Sequence, residues 1–88
     1  MQMRDMHVNE RTEGDYRIYA AALTAPEGSG YNAAVVIKRL HGDFAGEEAY
    51  RDTRLEQGRR WMCANEALAF ALDTGSRFAL SVPSTFTS

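Results

Sequence analysis

Two runs with strand character, YRIYAAALTA (16–25) and YNAAVVIKRL (31–40), stand either side of the turn-forming pentapeptide PEGSG (26–30). No other feature of the chain narrows the fold as much. Pro26 cannot continue a ladder, and Gly28 and Gly30 tolerate positive φ. Val35, Val36 and Ile37 suit a pleated surface. The arrangement predicts a β-hairpin. Ala20, Ala21 and Ala22 favour helix over strand, but the proline, the glycines and the valine pair outweigh them. If paired residues sum to an odd number, Ile18, Ala20, Ala22, Val35 and Ile37 share one face. Tyr19, Ala21, Leu23, Val36 and Leu40 then share the other. Both faces carry apolar side chains.

A second turn, HGDFAG (41–46), precedes EEAYRDTRLE (47–56), whose alternation suggests a third strand with one strongly polar face. Gln57-Gly58 breaks that pattern. The stretch NEALAFALDTGSRFA (65–79) reads as a helix, with Asn65 as the N-cap, Glu66 in the first turn and Arg77 towards the end. At 100° per residue Ala64, Ala67, Leu68, Ala71, Leu72, Gly75, Phe78 and Ala79 form one apolar arc, centred on Leu68 and Leu72. Gly75 marks either a close helix–sheet contact or an early helix end. Residues 1–15, MQMRDMHVNERTEGD, show no sustained apolar period and read as a flexible or loosely packed arm. The expected architecture is α+β: a three-stranded antiparallel meander with one C-terminal helix on one face (β-β-β-α). A single domain over 16–80 would be followed by a tail at 81–88.

The 88 residues are enough for one domain and one small core. No apolar run nears the roughly 20 residues of a membrane span, and Met1–Asp15 lacks the apolar block of a signal peptide. Cys63 is the single cysteine, so no intramolecular disulfide forms. These features together point to the reducing cytoplasm.

The search for chemistry yields little. His7, His41 and Cys63 have no metal-ligand spacing, so no metal, cofactor or catalytic residue is expected. Cys63 just before the helix lacks a partner base in the sequence. Glu47 and Glu48, adjacent on a strand, would point to opposite faces. PEGSG lacks the lysine and hydroxyl of a phosphate loop and does not lead into a helix. The most suggestive set is basic and aromatic: Arg51, Arg54, Arg59, Arg60 and Trp61. Residues 38–60, however, hold six bases against five acids, which is nearly balanced. The β-β-β-α order is similar to the later part of the double-stranded-RNA-binding domain. That family opens its final helix with a lysine-rich cluster, whereas Met62–Glu66 here has no lysine and one acid.

The expectation is therefore a small non-enzymatic module acting through protein contacts, by homodimerisation or with an unidentified protein partner. Tyr19, Leu23, Val36 and Leu40 are the candidate interface, because one helix covers only one face of a sheet. A nucleic-acid-associated module using Arg51, Arg54, Arg59, Arg60 and Trp61 is the alternative, and the less favoured one.

Overall fold

A computed structural model describes residues 6–25 and 30–81. Strands β1 (Met6–Glu13), β2 (Tyr16–Thr24), β3 (Tyr31–Arg39) and β4 (Glu48–Asp52) form one antiparallel sheet in the order β1-β2-β3-β4. A single 3-10 turn (Leu55–Gln57) leads to helix α1 (Ala64–Ser81). The class is α+β. No helix is long and apolar enough to cross a membrane among the described residues.

The hairpin between β2 and β3 has the odd-sum register, with Ile18 opposite Ile37 and Tyr19 opposite Val36. Its turn residues 26–29 lie outside the described set. Helix α1 crosses β2 and β3 and touches β1. It seals the face bearing Ile18, Ala20, Ala22, Ala33, Val35 and Ile37, all at most 1% exposed. Ala67, Ala71 and Leu72 meet that face from the helix. Small residues on both sides let helix and sheet approach closely.

Gly75 is where they come closest. A Cβ built there would overlap the Ile18 Cγ2 methyl and sit 3.3 Å from Val35 Cγ2. The glycine therefore marks a contact rather than a helix end. Alanine at an ordinary helical position gains up to about 1 kcal/mol, but at this one it must displace two fully buried branched side chains. Gly75→Ala is expected to destabilise the fold by about 1–3 kcal/mol in urea titration. A stabilised variant would mean that the helix stands further from the sheet.

The sheet has four strands where the sequence suggests three. Residues 6–13, read from the sequence as part of a loose arm, are β1, joined to β2 by the two-residue turn Gly14-Asp15 with Gly14 at φ 60°. The strand escapes pattern reading because both its faces are largely exposed, so Met6 and Val8 are its only large apolar residues. Polar contacts attach it to the helix. Arg11 Nη1 donates to Ser76 Oγ (3.0 Å), and that hydroxyl donates to Glu13 Oε1 (3.3 Å). Residues 1–5 and 82–88, the rest of the expected arm and nearly all of the expected tail, lie outside the described residues.

Two further boundaries differ. Helix α1 begins at Ala64, and the Cys63 carbonyl accepts the Ala67 amide (3.2 Å), so Cys63 occupies the cap position and Asn65 lies in the first turn. Leu72 is buried, while Leu68 is half-buried at the edge of the contact. β4 ends at Asp52 instead of running to Glu56, because Asp52 Oδ1 accepts the Arg54 amide (3.0 Å) and turns the chain. The turn delivers Leu55, 3% exposed, into the core. Trp61 then returns to β3, exchanging backbone hydrogen bonds with Tyr31 (2.9 and 2.8 Å).

Candidate interaction face of the sheet

The face turned away from α1 is built in rows set by the strand pairing, each row reading across the sheet. The first row is Met6, Leu23 and Asn32; the second is Val8, Ala21 and Ala34. The third is Glu10, Tyr19, Val36 and Arg51, and the fourth is Thr12, Arg17, Lys38 and Glu48. Apolar character is therefore concentrated in rows one and two and at the centre of row three. Met6 and Val8 are each 56% exposed, and Tyr19, Ala21, Leu23 and Val36 are half-buried. Helix α1 does not cover this surface. At its β3 end the Asn32 side-chain amide donates to the Gly58 and Arg59 carbonyls (3.2 and 3.1 Å), and Ala34 is buried.

The polar end of the face is internally paired. Arg17 donates through Nε and Nη2 to Glu10 Oε1 (3.2 and 2.7 Å) and through Nη1 to Thr12 Oγ1 (2.7 Å). Its guanidinium pKa rises because the hydrogen bond to Glu10 and that residue's charge favour the cation. Arg51 pairs with Glu48, and its hydrogen bond to that carboxylate holds Glu48 below the usual carboxylate range. Lys38 Nζ lies 5.8 Å from the centre of the Tyr19 ring. These pairs are exposed and each contributes little to stability. Their effect is to leave the rim of the apolar patch close to neutral.

Of the four interface residues expected from sequence, Tyr19, Leu23 and Val36 lie on this face. Leu40 follows β3, where its amide donates to the Asp15 carbonyl (2.9 Å). By the register, the polar row of Thr12, Arg17 and Lys38 separates it from the patch. Met6 and Val8 are additions that the sequence reading missed; the signal available for them was the M-x-V alternation running into Gly14-Asp15. Met6 extends the face from within the sheet.

The basic and aromatic set does not form a binding surface with its ring exposed. Trp61 is buried (8% exposed), packed 5.0 Å from Phe70 and covered by the Arg59 guanidinium at 5.0 Å. A base cannot stack on an indole held this way. Arg51 is engaged by Glu48, and the Arg54 guanidinium lies against Gly58. On the helix side of β4, Tyr50 stacks on Phe78 with ring centres 5.1 Å apart. Its phenol pKa is raised, first by burial and then by the Asp52 carboxylate.

His7 stands edge-on to Tyr31, His41 lies in the exposed 41–47 loop, and the Cys63 thiol is free and exposed. Among the described residues no three His, Cys, Asp or Glu side chains gather as metal ligands. No protein-family model, curated protein or solved structure matches the chain.

Proposed function

We propose that this chain is a small non-enzymatic module acting through protein contacts, and that the open sheet face is a homodimerisation surface. The observation that carries this reading is the contiguous apolar patch of Met6, Val8, Tyr19, Ala21, Leu23 and Val36, bounded by self-paired charges. A contiguous apolar patch of a few hundred Å² is the size of the largest one a typical monomer exposes, and such a patch is often functional. A second copy is the favoured occupant because the rim is nearly neutral and the chain carries a formal charge of only −2, so copies repel one another little. The exposed thiol suits a reducing compartment, in keeping with a cytoplasmic protein.

Size sets the expected strength. The apolar residues of those three rows lie on three strands and span about 20 Å by about 14 Å, on the order of 300 Å². Stable dimers bury about 800 Å² per partner. Face pairing alone therefore belongs to the weak class, with dissociation constants in the upper micromolar range. Backbone amide shifts followed from about 20 μM to about 1 mM will test it. Movement is expected at Val8, Tyr19, Ala21, Leu23, Ala34 and Val36, with none at Asp73 and Arg77 on the outer helix face. Shifts confined to the helix, or none at all, would contradict the proposal.

A further inference from the structure

We infer that β1 is a strap that opens from the sheet as one unit while the β2–β3 hairpin and α1 stay folded, and that its release dismantles the outer part of the open face. Burial divides the molecule along the line between β1 and β2. On one side Ile18, Ala20, Ala22, Ala33, Val35 and Ile37 are sealed against Ala67, Ala71 and Leu72 of the helix. On the other, seven of the eight β1 residues are exposed and only Glu13 is half-buried. A departing β1 therefore gives up little apolar burial of its own, while its eight residues regain backbone freedom. Segments with that balance open below the free energy of global unfolding.

What holds β1 is its ladder to β2 and a few polar contacts. On the open face Arg17 bonds Glu10 and Thr12, but those groups are exposed, where such pairs contribute little. On the helix side His7 stands edge-on to Tyr31, and Arg11 and Glu13 meet at the Ser76 hydroxyl. Ser76 is the one buried polar side chain among the described residues. Its hydroxyl is sheltered from competing water, so it is the latch of the strap.

The strand pairing sets which amides report the opening. Glu13 and Tyr16 flank a two-residue turn and bond each other, so Tyr16, Ile18, Ala20 and Ala22 of β2 direct N–H and C=O to β1. The alternate residues Arg17, Tyr19, Ala21 and Leu23 direct theirs to β3, and the Ala25 amide continues that series by donating to the Gly30 carbonyl (3.0 Å). When β1 leaves, the first set loses its acceptors and the second keeps them. Met6 and Val8 leave the apolar patch in the same event. The consequence for association rests on the homodimer reading: a second copy that touches Met6 and Val8 binds the closed strap in preference to the open one.

Native-state hydrogen exchange of the full chain at about 20 μM tests the strap in the monomer, independently of association. After correction for intrinsic rates, the amides of His7, Asn9, Arg11, Glu13, Tyr16, Ile18, Ala20 and Ala22 are expected to share one opening. They should exchange at least about tenfold faster than those of Arg17, Tyr19, Ala21 and Leu23. Ser76→Ala should speed the first set at least about threefold without speeding the second, whereas a general structural role would move both. A disulfide between Val8→Cys and Ala21→Cys, with Cys63→Ser, should hold the strap shut and close the gap between the sets. Equal protection of the two β2 sets, a graded loss from Met6 inward with Ile18 still protected, or no selective effect of Ser76→Ala would overturn the inference. At about 1 mM the first set should slow and the second should not. A mass that rises without that slowing would overturn the coupling of β1 to the face. A mass that stays at one chain, with the split intact, would contradict face pairing and leave the strap standing.

Discussion

Trp61→Ala is expected to destabilise the fold by about 3–5 kcal/mol, the range for removing a large buried aromatic side chain. The indole is 8% exposed, packs on Phe70 and is covered by Arg59. It also anchors the crossing from β4 to α1, because its backbone bridges to Tyr31 in both directions. Without the ring that crossing keeps two hydrogen bonds but loses its apolar attachment to the helix. A domain of this size has a total stability near the low end of 5–15 kcal/mol, so the variant should sit close to its unfolding midpoint at 25 °C. Guanidinium titration monitored by far-ultraviolet circular dichroism measures the effect. A loss below about 1.5 kcal/mol would show that the ring is free, reopening the base-stacking reading that its burial argues against.

Val36→Glu should do the opposite: leave the monomer nearly intact and weaken association. Val36 lies mid-strand in β3 between Tyr19 and Arg51, on the face that α1 does not cover. In the monomer a carboxylate there stays solvated and lies opposite Arg51, and the change in strand preference is within about 1 kcal/mol. In a closed face-to-face contact the same carboxylate must give up water. Even a paired buried ion carries a desolvation cost of several kcal/mol, and each 1.4 kcal/mol is about a tenfold change in affinity. Face pairing should weaken by two or more orders of magnitude. Unfolding of the variant would instead mean that Val36 faces the core.

The central hairpin was legible because several local signals agree. Pro26 and the glycines place the turn, and the valines and isoleucine place the second strand. The helix was legible through its arc of small apolar residues, and the odd-sum pairing of Tyr19 with Val36 follows from those two strands. β1 was not legible. Its pairing is carried by backbone groups and its helix-side residues, His7, Asn9, Arg11 and Glu13, are polar, so no alternation of burial is written into them. Nor was the burial of Trp61, because Arg59 and Arg60 beside it in sequence resemble a binding cluster. Only the return to Tyr31 shows that the ring belongs to the core. The candidate face was half legible: Tyr19, Leu23 and Val36 came from parity, whereas Met6 and Val8 depend on knowing that β1 exists.

Sedimentation equilibrium of the wild type and Val36→Glu, run in parallel from about 20 μM to about 1 mM, tests the self-association of the open face most directly. The wild-type weight-average mass should climb above the 9.8 kDa of one chain as concentration rises. The variant should need a concentration at least tenfold higher to reach the same mass. Superimposed curves, or a wild type that stays at the mass of one chain to 1 mM, would contradict the account.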